Sequence, residues 1–372
     1  MEWSPPAFYI GVTMRHDEGS SNSIEKIQEK TVHQITTIGL DTSKNVFHVV
    51  GINQAGKTVI RKQLRRKQVL QFFAQLPASV IGIETCGGSH YWARELTKLG
   101  HQVRLVPARD VKALVRGQKN DYHDALAIAE AVGRPQQRFS AIKQPSDHDA
   151  QALHRLRRGY IGERTALGNR LRGLLTEHGL VIAKGLAPVR RRIPELLEDG
   201  DNTLGRTTRD LVYRALQHLY VLDQEIQHCD QQLKEMVRND EPCQRLMAIP
   251  GFGPMVASSW RARMGDCRQF RRGRDASAAC GLVPQQHTTG GRPQLLGITK
   301  RGDKELRTLL VHGARSVIRH AHKKDDALSL WVCQVVARCG HNKATVALAN
   351  KMARIAWAMT VHKTDYVPRM AA

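Results

Sequence analysis

The strongest constraint on the fold is the point at which strand patterns stop. Thr36–Val50 (TTIGLDTSKNVFHVV) begins as an apolar, buried strand and ends as a β-branched one. Asn53-Gln54-Ala55-Gly56 is a turn, and Lys57–Leu64 alternates as a third strand. A helix over Lys67–Leu76, a short apolar strand Ser79–Glu84, a helix over His90–Leu99 and a strand Gln102–Val106 follow, with helix to about Val132. A three-strand meander followed by alternating helix and strand predicts a mixed sheet with helices on its faces. Beyond residue 132 helical spacing takes over, until a short strand-like run at Pro293–Ile298. The predicted organisation is a flexible extension (1–34, with Met14 as an alternative start), an α/β domain (35–135), a helical spacer (147–240), a mostly α domain (241–360) and a tail (361–372).

Four carboxylates occupy telling places in the α/β part. Asp41 follows the apolar core of the first strand, and Glu84 ends the next core strand. Asp121 and Asp124 lie three apart at the start of a helix and face the same way. Taken singly, each has a structural explanation: Asp41 as a turn cap, Asp121 as a helix N-cap, Asp124 as a charge favourable to the helix dipole. Taken together, strand ends and a nearby helix converge into a cluster that is electrostatically costly unless divalent cations fill it. Two such cations about 4 Å apart serve phosphodiester chemistry. The element order and the cluster resemble the ribonuclease-H-like fold. The same opening also resembles the first phosphate loop of actin-like sugar kinases, but the second phosphate loop and adenosine pocket those enzymes need do not follow residue 132.

Charge points to a polyanionic partner. The formal net charge is +23 over 372 residues. Residues 245–324 hold sixteen basic and four acidic residues, while residues 1–34 are slightly acidic. A stretch with so few acids has no salt-bridge lattice to neutralise it, so DNA or RNA is the expected partner. No run of about 18 apolar residues exists, so no membrane span is expected. MEWSPPAFYI is unlike a secretory signal, and the seven scattered cysteines contain no C-x-x-C pair. A reducing, cytoplasmic setting is the expectation.

The helical middle carries apolar positions Leu153, Leu156, Ile161, Leu167, Leu171 and Leu174 in a first helix, from Asp147 to about Glu177. Glycines and prolines break the pattern over 179–206. A second helix, Thr208 to Val237, carries the stripe Leu211, Ala215, Leu219, Leu222, Ile226, Cys229, Leu233 and Met236. Two readings fit: an intradomain hairpin, or a dimerising coiled coil. Further on, Leu246–Ala257 (LMAIPGFGPMVA) has the helix-hairpin-helix pattern, in which Gly251 and Gly253 let backbone N–H groups approach a DNA phosphate. Its alternative is an ordinary tight helix–helix turn. The segment CGLVPQQHTTGGRPQLLGITKRGDKE then presents His287, Thr288 and Thr289 in a glycine-rich loop, with Arg292, Lys300, Arg301, Lys304 and Arg307 around it. Hydroxyls beside glycines and cations are what a phosphoryl nucleophile or a phosphate clamp needs; the alternative is a surface turn.

IGLDTSKNVF, GIETCGG, KNDYHDALAIAEA, AIPGFGPMVA and CGLVPQQHTTGGRPQLLGITKRGDKELRTLLVHGAR, in that order, resemble the DEDD transposases of insertion-sequence family 110, in the branch typified by element 1111. Pilin-gene inversion recombinases are related to these. The resemblance covers roughly residues 35–360. It implies a RuvC-like domain whose DEDD carboxylates, here Asp41, Glu84, Asp121 and Asp124, bind magnesium (Mg2+). It implies a serine nucleophile in the C-terminal domain that forms a covalent 5′-phospho intermediate, a structured RNA from the element's end that chooses target and donor DNA, and an oligomer with composite sites. One position departs: where the family has serine before glycine, this chain reads His287-Thr288-Thr289-Gly290-Gly291. Thr289 matches best and Thr288 second. A hydrolytic RuvC-like Holliday-junction nuclease and an impaired copy that only binds nucleic acid are the competing functions.

Overall fold

The structure is a computed structural model that describes residues 35–118 and 120–368. The expected extension over 1–34, with its alternative start at Met14, lies outside the described residues. The chain divides into two compact units after Ile142. The helical spacer and the C-terminal helices, expected as separate domains, fall in one unit, because the spacer helices bury residues against the helices that follow them.

The N-terminal unit is built on β1 (Thr37–Asp41), β2 (Val46–Ile52), β3 (Thr58–Arg65), β4 (Val80–Glu84) and β5 (Gln102–Val106). Their order is β3-β2-β1-β4-β5. The first three are antiparallel neighbours, and β1, β4 and β5 run parallel. Both β1 and β4 are covered on two faces and read as continuous apolar runs; β3, at the edge, carries Arg61, Lys62 and Arg65. On one face lie α1 (Val69–Ala74), entered through a short 3-10 turn at Arg66–Gln68, and α2 (Ser89–Lys98). Phe73, Trp92 and Leu96 pack there against Ile38, Leu40, Phe47, Ile81 and Ile83.

The other face is covered by α4 (Asp121–Val132), reached through α3 (Ala108–Lys112). The expectation of unbroken helix to Val132 is corrected: residues 113–118 and 120 are non-helical, with Gly117 at φ +79°. The Asn120 side chain accepts from the Tyr122 N–H at 2.9 Å and starts a new helix. Glycines let that helix lie flat on the sheet. A Cβ at Gly39 would stand 1.9 Å from the Ala125 carbonyl oxygen, and one at Gly82 2.5 Å from the Val132 side chain.

The C-terminal unit opens with α5 (Pro145–Thr176), α6 (Leu186–Glu198) and α7 (Arg206–Arg238). Arg157 pairs with Asp230, and Arg164 with Asp223, so α5 and α7 run antiparallel. The buried face of α7 is Val212, Leu216, Leu219, Leu222, Ile226, Cys229, Leu233 and Val237. Both ends of the expected stripe are corrected by one residue: Leu211 is exposed, and Ala215 and Met236 are only half-buried. A straight helix of 3.6 residues per turn drifts from a heptad count, and the ends show it first. Much of this face is spent inside the chain, against Leu167, Leu171 and Leu175 of α5 and Val189, Ile193 and Leu196 of α6. That burial also holds α6 together around Pro194, in the region expected to lack a helix.

The second core is formed by α8 (Glu241–Met247), α9 (Pro254–Met264), α10 (Gly273–Ala279), α11 (Lys304–Ala321), α12 (Ala327–Cys339) and α13 (His341–His362) around the buried Trp260. From it projects a hairpin of β6 (Pro284–Thr289) and β7 (Arg292–Ile298). The expected glycine-rich loop carrying His287, Thr288 and Thr289 is therefore corrected to a strand. Only Gly290 and Gly291, at φ +57° and +75°, form the loop, as a two-residue hairpin turn requires. Every residue of both strands except Ile298 is exposed. Among the described residues no helix is long and apolar enough to cross a membrane.

Candidate active site

In the N-terminal unit the sheet brings the expected carboxylates together. Leu40 and Ile83 are register partners in the parallel pair β1/β4, so Asp41 and Glu84 follow at neighbouring strand ends. With α4 seated on the glycines of those strands, Asp121 and Asp124 in its first turn come to the same edge. Asn120 caps the helix, so Asp121 has no capping duty. The four side chains feel one another. Burial, then repulsion from Asp124, Asp121 and Glu84, pushes the Asp41 carboxyl up to about 6. Burial and Asp124 likewise push Glu84 upward.

Three neighbours escape a reading of sequence alone. His48 is the register partner of Asp41 on β2, is 9% exposed, and sets Nδ1 3.7 Å from an Asp121 carboxylate oxygen. Its charge is the influence that lowers the Asp41 value. Tyr122 stands edge-on to His48 with ring centroids 4.7 Å apart, and the Arg61 guanidinium lies 4.1 Å over the Tyr122 ring. Only the signal of a strand hairpin around Asp41 could have found His48, since the pairing depends on register.

Four carboxylates at one sheet edge, with the Asp41 and Glu84 carboxyls held above the usual range, are hard oxygen donors that suit a divalent cation. Among the described residues no three His, Cys, Asp or Glu side chains are already gathered into a ready-made metal cage. The donor chemistry of these side chains fits such a cation.

In the C-terminal unit the hairpin sorts its two threonines. Thr289 is the cross-strand partner of Arg292, and His287 of Gln294; these share one face of the ribbon. Thr288 pairs with Pro293 on the other face, and its hydroxyl accepts from the Gln286 amide at 3.0 Å. The hairpin's base is tightly crossed. A Cβ at Gly281 would lie 2.1 Å from the Arg301 carbonyl oxygen, and one at Gly302 2.0 Å from that of Ala279. Lys300, at φ +54°, donates its N–H to the Gly281 carbonyl at 3.2 Å. Arg263 bonds Asp303 and Glu305 at 2.6 Å each, and the Asp303 carboxylate caps α11.

Among the expected nucleic-acid contacts, Arg292, Lys300, Arg301 and Lys304 are exposed. Arg307 has a structural duty, donating to the Cys280 carbonyl at 3.0 Å. The two glycines before α9 also differ. At Gly251 (φ +86°) a Cβ would meet the Gly313 carbonyl oxygen at 2.8 Å, so its glycine serves the chain's own close packing. Gly253, at the N-cap of α9, faces open space.

A mixed five-stranded sheet with carboxylates at the ends of β1 and β4 and on the covering helix, followed by a mostly helical unit, is consistent with ribonuclease-H-like DEDD transposases. Comparison with known proteins gives the family. A DEDD transposase profile of the IS110 group matches residues 38–179, and a profile described as the transposase IS116/IS110/IS902 family matches residues 243–329. A "Probable family 20 transposase" of Pseudomonas aeruginosa is 44% identical over 90% of this chain and 99% of its own length. A "Transposase for insertion sequence element IS1111A" of Coxiella burnetii is 39% identical over 97% and 98%. A "Transposase for insertion sequence element IS1328" of Yersinia enterocolitica is 38% identical over 89% and 98%. The chain belongs to the IS110 family of insertion-sequence transposases, enzymes of DNA strand cleavage and transfer.

Proposed function

We propose that this transposase cuts and rejoins DNA at the ends of its own element with two sets of groups. Asp41, Glu84, Asp121 and Asp124 hold Mg2+, and the Thr289 hydroxyl is the nucleophile. The observation that carries the first half is the raised Asp41 carboxyl amid three other acids, an arrangement that a divalent cation relieves. When bound, the metal supplies charge neutralisation at a phosphodiester. His48, with Nδ1 3.7 Å from an Asp121 carboxylate oxygen, borders the acids from the sheet side.

For the second half, the face of the hairpin favours Thr289 over Thr288. Thr289 shares its face with His287 and the Arg292 cation, whereas the Thr288 hydroxyl is engaged by Gln286. Thr289 Oγ1 attacks phosphorus, the bond from phosphorus to the 3′ oxygen breaks, and a free 3′-hydroxyl leaves. The threonine proton passes to His287, which returns it to the departing 3′ oxygen, and Arg292, Lys300 and Arg301 take up charge on the phosphate. Attack of a 3′-hydroxyl on the phosphothreonine reverses the step and rejoins a strand without an outside energy source. The extra methyl of threonine restricts the rotamer from which attack occurs.

The backbone at Gly253 contacts a DNA phosphate in the helix-hairpin-helix manner, a contact without base specificity. The basic surface receives a structured RNA from the element's end. Exposed apolar residues on α7 (Leu211, Tyr213 and Val221) support assembly into an oligomer in the cytoplasm, at the nucleoid. The test is a cleavage assay on labelled element-junction DNA, with and without Mg2+ and end-derived RNA. Strand cleavage that requires both is expected. Cleavage that ignores the RNA contradicts guidance, and cleavage that survives chelation contradicts the carboxylate assignment.

A further inference from the structure

The C-terminal unit contains a second feature suited to nucleic acid, away from the hairpin in sequence. A cavity of about 630 Å3 opens between the start of α10 and the helices α12 and α13. Its walls include the indoles of Trp331 and Trp357, the side chain of Ile355, and the cations Lys351 and Arg354. Its size lies in the range of small-molecule sites.

The walls are fixed. The Trp357 indole N–H donates to the Phe270 carbonyl at 3.2 Å, and Asn350 donates its amide to the Leu282 carbonyl at 3.1 Å. Gly273 is buried where a Cβ would press on the Arg354 backbone at 3.2 Å, so the start of α10 abuts α13 without a side chain between them. Lys351 Nζ sits 4.1 Å over the Trp331 ring.

The charge in the cavity is one-sided. No Asp or Glu lines it, and neither Lys351 nor Arg354 has an acidic partner among the described residues. Burial, with Arg354 beside it, holds the Lys351 ammonium below the usual lysine range. Two aromatic planes beside two uncompensated cations are complementary to a flat heteroaromatic ring that carries an anion. That is the chemistry of one nucleotide: base against indole, phosphate against ammonium and guanidinium. A base inside a duplex is stacked on both sides and cannot enter a pocket, so only an unpaired one fits.

We propose that this cavity holds an unpaired nucleotide of a single strand, its base stacked on Trp357 beside the Trp331 ring that seats Lys351, and its phosphate held by Lys351 and Arg354. The inference rests on the reading of this chain as a nucleic-acid enzyme and adds a site that the cleavage chemistry does not use.

The test titrates the full chain with a short single-stranded oligodeoxynucleotide, the oligoribonucleotide of the same sequence, a fully paired duplex, and a free mononucleotide. The double variant K351Q/R354Q is expected to weaken single-strand binding on the order of ten-fold or more and leave duplex binding unchanged, with an unchanged melting temperature. W331L is expected to do the same. A 5-iodouracil base in the single strand should photo-crosslink to Trp331 or Trp357. Preference for the DNA or the RNA strand identifies which one supplies the nucleotide, and either supports the site. Unchanged single-strand binding in both variants, equal losses on single strand and duplex, or binding of the free mononucleotide alone overturns it. Duplex binding by the unaltered chain separates the two readings: if it persists while the single strand is ignored, the cavity fails and the transposase reading stands. If the chain binds neither, both fail.

Discussion

The two units of this transposase handle charge in opposite ways. In the N-terminal unit four acids converge, and burial together with their repulsion raises the Asp41 carboxyl to about 6. In the C-terminal unit the cations are dispersed over a hairpin, a helix start and a cavity edge, and several face solvent without partners. A converged site must be held by the fold, and glycines under α4 do the holding. A dispersed site needs little holding, because the polyanion itself collects the cations. The fold of the first unit therefore reports its chemistry more directly than that of the second.

The sharpest way to break the comparison is to remove an acid. Asp41→Ala or Glu84→Ala is expected to lower strand cleavage by roughly a thousand-fold or more, with binding to DNA retained, since charge neutralisation at phosphorus depends on them. A gel assay of cleavage beside one of binding checks this. Loss of binding as well would mean that the acids serve the fold.

Next comes the hairpin. Thr289→Val keeps the shape of the side chain and removes the hydroxyl, so adduct formation should fall by at least about a hundred-fold, while Thr288→Val should cost less than about ten-fold. Thr289→Ser should retain activity. Equal effects at the two threonines would contradict the assignment by face.

The glycine seats give a third test. Gly82→Val inserts a branched side chain where a Cβ already falls 2.5 Å from Val132, and is expected to destabilise the N-terminal unit by about 3 kcal/mol. Chemical denaturation followed by Trp92 fluorescence reads it. The same change at Gly253, which faces open space, should cost well under half as much.

The smallest effects are in pH. A carboxyl raised to about 6 keeps its proton until that pH, and a bound cation must displace it. Mn2+ affinity by calorimetry should therefore fall by about ten-fold per pH unit below 6 and level off above it. In the C-terminal unit the sign of acid stability is reversed. Burial, then Arg263, pushes His154 down to about 4, and its Nε2 lies 2.9 Å from the Ser258 hydroxyl. The unfolded chain takes up that proton first, so this unit loses stability as pH falls from about 6.5 toward 4. Asp41 works the other way: a raised folded value means that protonation between 6 and 4 relieves the N-terminal unit. Asp41→Asn should mimic this with a gain of about 1 kcal/mol, after discounting for solvent screening.

The sheet was legible because β1 and β4 are covered on both faces and leave unbroken apolar runs, Ile38-Gly39-Leu40 and Ile81-Gly82-Ile83. The places of the carboxylates were legible because Asp41 and Glu84 end strands and Asp121 begins a helix whose first turn also holds Asp124. His48 was not, because its place beside Asp121 depends on register and on the seating of α4. The β7 strand was legible at Pro293–Ile298, but its partner β6 was misread as a loop for a related reason: with every residue of β6 exposed, nothing in its pattern alternates between inside and outside. The ends of the α7 stripe slipped because a heptad count drifts from a straight helix.

The most direct measurement is the trapped adduct. The protein is incubated with labelled element-junction DNA, end-derived RNA and Mg2+, then denatured, digested and mapped by mass spectrometry. A nucleotide esterified to Thr289, absent from the Asp41→Ala protein, is the predicted result, because it requires the acids of one unit and the hydroxyl of the other in a single reaction. Cleaved DNA with no residue attached would contradict it and make the enzyme a hydrolytic nuclease.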